Sequence, residues 1–192
     1  MLRPNAIPFD TYLGDAISLD VASFAARHAW PMIVIPDPDP AVLSRIRRAE
    51  TVIDRVPRDA TDDIDAAPSA ASLDALCLEA SPKSGLPNDA ISIGRSPDAD
   101  VILLDDSISR IHALLTWTPA TQAMIVTDLG ARNGTRIDGD LLEAEHPTPA
   151  ESGAVLTFGA LVTRIYTPSA FHAWLREGAP RSGAAPGVWP HR

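Results

Sequence analysis

From about residue 75 to residue 166 the sequence breaks into short apolar and β-branched runs, each closed by turn residues. Leu76–Ala80, Ala90–Ile93, Val101–Leu103, Ile111–Trp117, Met124–Thr127, Thr135–Ile137, Val155–Phe158 and Leu161–Tyr166 are the candidate strands. Gly85, Gly94, Pro97, Gly130, Asn133-Gly134, Gly139, Gly153 and Gly159 punctuate them. Runs this short leave no room for long helices, and their regular spacing predicts an antiparallel sandwich or barrel. The run from Ile111 shows the alternation of a half-buried strand. Ile111, Ala113, Leu115 and Trp117 fall on one side, and His112, Leu114 and Thr116 on the other.

The flanks read differently. In residues 1–56, Ser18 is placed to cap a short helix carrying Val21, Phe24, Ala25 and His28 on one face. Trp30-Pro31 ends it, and Met32-Ile33-Val34-Ile35 reads as a short buried strand able to lie along a sandwich edge. Asp39 at N-cap and Pro40 at N1 predict a second helix with Leu43, Ile46, Ile53 and Val56 as its apolar stripe. A segment of this size buries too little surface to stand alone, so residues 1–56 are expected to pack on the sandwich. Residues 57–73 are acidic, small and proline-containing, and read as a linker or mobile loop. The sandwich is expected over 74–167. Thr167 as N-cap and Pro168 at N1 then start a short helix over 168–178, with Phe171, Trp174 and Leu175 inward and Gly178 as its stop. The tail, 179–192, is expected to be disordered.

A net charge of −9 excludes whole classes of partner, because nucleic acids and anionic membranes are met by basic surfaces. Neither is expected to be a partner here. An anionic ligand would have to be held by a local cluster of donors against the overall field. Cys77 is the single cysteine, so there is no disulfide framework and no thiolate metal site. The start has no apolar core of a secretory signal, and no run approaches the ~18 apolar residues of a membrane span. A cytoplasmic location is the expectation. His28, His146, His172 and His191 lack ligand spacing, and no glycine-rich loop carries a phosphate-binding lysine, so neither a metal nor a cofactor is implied.

Three polar loops lie between the strands: Ile93-Gly94-Arg95-Ser96-Pro97, Asp106 to Ala113 (DSISRIHA), and Asp128 to Thr135 (DLGARNGT). Each is ordinary alone, Asn-Gly being the usual mark of a tight hairpin. In this order and spacing, together with the closing LTFG, they resemble the forkhead-associated (FHA) family. The resemblance covers roughly residues 75–167. It implies an eleven-stranded β-sandwich with a phosphothreonine-peptide site on loops at one end.

The residues fit that chemistry. A phosphate carries about −1.5 to −2 charges and needs several converging donors. Arg95 offers a planar fork, Ser109 a short hydroxyl and Arg110 a second cation. Asn133 can donate to and accept from a peptide backbone. Arg132 stands where the family often has Ser or Thr. One or both of Arg110 and Arg132 are placed to read an acidic residue a few positions C-terminal to the phosphothreonine, the alternative being that Arg132 pairs with Asp128 or Asp138. Gly94 and Gly134 permit turns. The pair Ser109-x-x-His112 hints at nucleophilic catalysis, but no orienting carboxylate is placed by the sequence. The resemblance makes His112 a structural residue that bonds loop backbone. No catalytic residue is expected. Asp138-Gly139 replaces a frequent second Asn-Gly and would put a negative charge near the phosphate.

A phosphothreonine-binding module serving Ser/Thr kinase signalling is therefore the leading reading, its partner a phosphorylated kinase or kinase substrate. The alternative is a scaffold or assembly subunit that binds without phosphate.

Overall fold

In a computed structural model, residues 9–35, 75–83 and 90–178 are described. The helix expected after Pro40, the 57–73 segment and the 179–192 tail lie outside the described residues. Two helices open the described chain, α1 (Phe9–Ser18) and α2 (Val21–Arg27). Eleven strands follow: β1 (Met32–Ile35), β2 (Leu76–Glu79), β3 (Ala90–Gly94), β4 (Val101–Ile102), β5 (Ala113–Thr118), β6 (Ala123–Asp128), β7 (Thr135–Ile137), β8 (Asp140–Leu141), β9 (Thr148–Ala150), β10 (Val155–Phe158) and β11 (Leu161–Tyr166). Helix α3 (Pro168–Ala173) runs into a π-helical turn, Trp174–Gly178.

The strands form two sheets, ordered β2-β1-β11-β10-β7-β8 and β4-β3-β5-β6-β9. Among the described residues, β3 and β4 are the one parallel pair. The inner faces enclose a core of Ile33, Leu78, Ile91, Ile93, Leu115, Val126, Leu156, Phe158 and Ile165. This is the FHA-type β-sandwich that the resemblance implies.

The six-stranded sheet is buried on both faces over half its width. Strand β1 pairs with β11 on one side and β2 on the other, with Ile33 opposite both Ile165 and Leu78. All four of its residues are buried. Ile33 and Ile35 point into the sandwich, whereas Met32 and Val34 join a second apolar cluster with Tyr12, Phe24, Cys77, Tyr166 and Phe171 beneath the helices. A strand apolar at every position is what burial on both faces demands. The edge placement expected for Met32–Ile35 is corrected: the outer position belongs to β2. Burial pushes the Cys77 thiol up to about 12, which leaves it an inert apolar group.

Two further expectations are corrected. Ser18 does not cap α2. It closes α1, its hydroxyl donating to the Gly14 carbonyl at 2.8 Å, while Asp20 caps α2 by accepting from Ser23 N–H at 2.8 Å. Ile111 is 38% exposed and precedes the strand, which starts at Ala113, so the buried face of β5 is Ala113, Leu115 and Trp117.

The helical layer is fastened by His28, 5% exposed and wedged against the rings of Tyr12 and Phe24. Its Nε2 lies 2.9 Å from Asp15 and its Nδ1 4.0 Å from Glu79, joining α1, α2 and β2; Arg27 completes the group through Asp15 at 2.6 Å. Burial alone would lower the imidazole's pKa, but hydrogen bonding and charge from the two carboxylates outweigh it and leave the pKa raised. A raised folded pKa stabilises fully below the unfolded value of about 6.5 and is lost as pH climbs through the folded value. His28→Gln is therefore expected to lower the melting temperature most near pH 6. The gap to the native chain should narrow steadily toward pH 9 in thermal scans.

Candidate functional site

The binding end begins where β3 runs out. Its last residue, Gly94, meets the backbone of the loop before β5: a Cβ there would overlap the Arg110 carbonyl and crowd Ile111 Cα at 2.9 Å. That close approach closes a short zipper of backbone bonds. His112 N–H donates to the Ile93 carbonyl at 2.8 Å, Arg95 N–H to Ser109 at 3.0 Å and Ser96 N–H to Arg110 at 3.0 Å. Arg95 and Ser109, fourteen positions apart in sequence, are thereby held side by side.

His112 ties this pair to the third loop. It is fully buried; its Nδ1 accepts from Ser109 N–H at 3.0 Å, and its Nε2–H reaches the Gly134 carbonyl at 3.1 Å. Accepting at Nδ1 and donating at Nε2 is one neutral tautomer, so the two bonds fix the protonation state. Burial lowers the pKa, against raising contributions from the Gly134 carbonyl and the Asp128 charge. Gly134 sits at φ +69°, where a side chain would be strained and would also collide with Leu141.

Asp128 shapes the third loop, a role the sequence reading did not assign. It is 3% exposed, accepts from Thr135 Oγ1 at 2.6 Å and Ala131 N–H at 2.9 Å, and so bends residues 129–134 back over Ser109. An Asp opening a Leu-Gly turn was the available signal. Asp100, also missed, is fully buried and takes Ser92 N–H, Ser92 Oγ and Lys83 N–H, fastening the β3–β4 loop to the sheet. Nothing in its sequence context marks it.

All five residues assigned to peptide binding line one hollow of about 390 Å³: Arg95, Ser109, Arg110, Arg132 and Asn133. The three arginines are exposed, and among the described residues none has a carboxylate within 4 Å. The expected alternative of Arg132 pairing with Asp128 or Asp138 is not the arrangement found. Asp128 serves Thr135 and Ala131, and Asp138 accepts from Val155 N–H at 2.8 Å. Asp138 also lies at the far end of β7 from Asn133, ~10 Å away along a three-residue strand. The expectation that its charge sits near the phosphate is corrected accordingly. Ser109 Oγ accepts from Arg132 N–H at 3.3 Å, leaving its own proton for a ligand. Asn133 spends one amide hydrogen on the Ser107 carbonyl at 2.7 Å, which aims the side chain and leaves its carbonyl oxygen and second hydrogen open. Three cations against Asp106 make this a positive spot on an acidic chain.

The sandwich thus presents a donor-rich, cationic loop cluster at one end. Residues 91–159 match the family model of the FHA domain. Over 74 residues the chain is 35% identical to the FHA domain-containing protein PS1 of Arabidopsis thaliana, a match spanning 38% of this chain and 5% of that protein. Among solved structures it is similar to the FHA domain of the CT664 protein from Chlamydia trachomatis (28% identity, 41% of this chain and 77% of that one, TM-score 0.38). It is also similar to an FHA domain from a study of phosphothreonine-dependent FHA domain interactions (26% identity, 43% and 80% covered, TM-score 0.37).

His112 is the acceptor for Ser109 N–H, whereas the Gly134 carbonyl keeps a second donor in Gly159 N–H at 3.1 Å. His112→Ala is therefore expected to cost about 1–3 kcal/mol, the penalty of one orphaned donor. Gly94→Ala should also destabilise, by forcing the two loops apart. For the native chain, chemical denaturation should show stability falling as pH drops below about 6.5, where the unfolded imidazole charges before the buried one.

Proposed function

We propose that this chain is a phosphothreonine-peptide binding module acting in Ser/Thr kinase signalling, with a phosphorylated kinase or kinase substrate as its partner. The observation that carries this reading is the convergence of Arg95, Ser109, Arg110, Arg132 and Asn133 on one hollow, with the three guanidiniums left without carboxylate partners among the described residues. On a chain of net charge −9, unpaired cations gathered at one spot are matched by an anion supplied from outside. Arg95 and the Ser109 hydroxyl supply charge-assisted bonds to the phosphate oxygens, and Asn133 registers the peptide backbone. A scaffold that bound without phosphate would leave this cluster unused.

On the same reading the N-terminal segment belongs to the frame of the binding domain and is not a second module. Its support is that Ile33 and Ile35 of β1 contribute to the core between the sheets, and that Trp117 Nε1 donates to the Ala29 carbonyl at 3.1 Å.

The experiment is calorimetry with matched phosphorylated and unphosphorylated threonine peptides. Arg95→Ala is expected to weaken binding of the phosphorylated peptide at least about tenfold, ~1.4 kcal/mol, with melting unchanged. Equal affinity for the two peptides would overturn the reading.

A further inference from the structure

A second hollow, of about 470 Å³, adjoins the first and shares Ser109 and Arg110 with it. Its other lining residues are Ser96, Asp98 and Ile111, none of which the phosphate chemistry uses. The floor is rigid, because Ser96 N–H is bonded to the Arg110 carbonyl and Gly94 packs beneath. Ile111 is 38% exposed. Placed between two polar loops and facing water, it is an apolar contact without an occupant. Asp98 is exposed, accepts from Ser96 Oγ at 3.2 Å through one oxygen, and has no cation within 4 Å among the described residues.

The geometry points to a subsite for a lysine or arginine side chain of the same phosphopeptide. An aliphatic stem would lie against Ile111 while its charged head reaches the Asp98 carboxylate and the Ser96 hydroxyl, the division of labour that long basic side chains favour. Arg110, on the boundary, is the one opposing charge; a phosphate bound on its other side offsets it. Sharing Ser109 and Arg110, the two hollows are neighbours within reach of a few residues of extended chain at ~3.3 Å each. The basic residue therefore falls within about three positions of the phosphothreonine. Because the pair stays in contact with water, its effect is a preference of about two- to fivefold and not an absolute requirement.

This inference rests on the phosphothreonine reading, and its test separates the two. Phosphothreonine peptides with each flanking position varied among Lys, Ala and Glu would be titrated into the full chain and into Asp98→Asn and Asp98→Lys. The expected result is a two- to fivefold preference for Lys at one position within three of the phosphothreonine. Asp98→Asn should abolish it and Asp98→Lys should turn it toward Glu, with both variants still distinguishing phosphorylated from unphosphorylated peptide. No preference for Lys in the native chain, or one that survives in both variants, overturns the subsite and leaves the phosphate reading standing. Equal binding of phosphorylated and unphosphorylated peptides overturns both.

Discussion

The bare Cα of Gly94 against the Arg110 carbonyl is the contact on which the binding end depends. It lets the end of β3 come close enough for the bonds from Arg95 and Ser96 to Ser109 and Arg110 to form, so two loops behave as one surface. His112 extends that surface to the third loop with a single buried ring. The result is a preorganised cluster of donors, in which little conformational entropy is lost on binding an anion. Exposed arginines on a loose loop would have the same charge without that advantage.

The sandwich supplies the stiffness behind these loops, and the helical layer extends it. Because β1 is buried on both faces, the six-stranded sheet is held between the core and a second aromatic cluster. Among the described residues, the helices pack on the half built from β2, β1 and β11 and line neither hollow. Charge at His28 and neutrality at His112 act in opposite directions with pH, one steadying the helical layer in mild acid and the other the binding end above it.

Much of this was legible in the sequence. Alternation in the Ala113–Trp117 run and turn residues at regular spacing marked the sandwich, and the three polar loops marked the site. What escaped did so for identifiable physical reasons. Asp140–Leu141 and Thr148–Ala150 are strands too short to carry a period, defined by partners distant in sequence. Ile111 matched the alternation of β5 but belongs to the turn before it, since the zipper to Arg95 and Ser96 takes up the backbone there. Asp100 and Asp128 look like surface acids, yet each is buried by the backbone N–H groups it collects. Asp138 was placed near the phosphate by sequence proximity alone, and a short strand carries it to the opposite end of β7.

The central claim is that one preformed loop cluster captures a phosphorylated threonine. Amide chemical-shift mapping during titration with a phosphothreonine peptide tests it most directly. The account predicts saturable shifts concentrated at Arg95, Ser109, Arg110, Arg132 and Gly134, with none from the unphosphorylated peptide. Shifts centred instead on the exposed face around Val162, or the same shifts from both peptides, would contradict it.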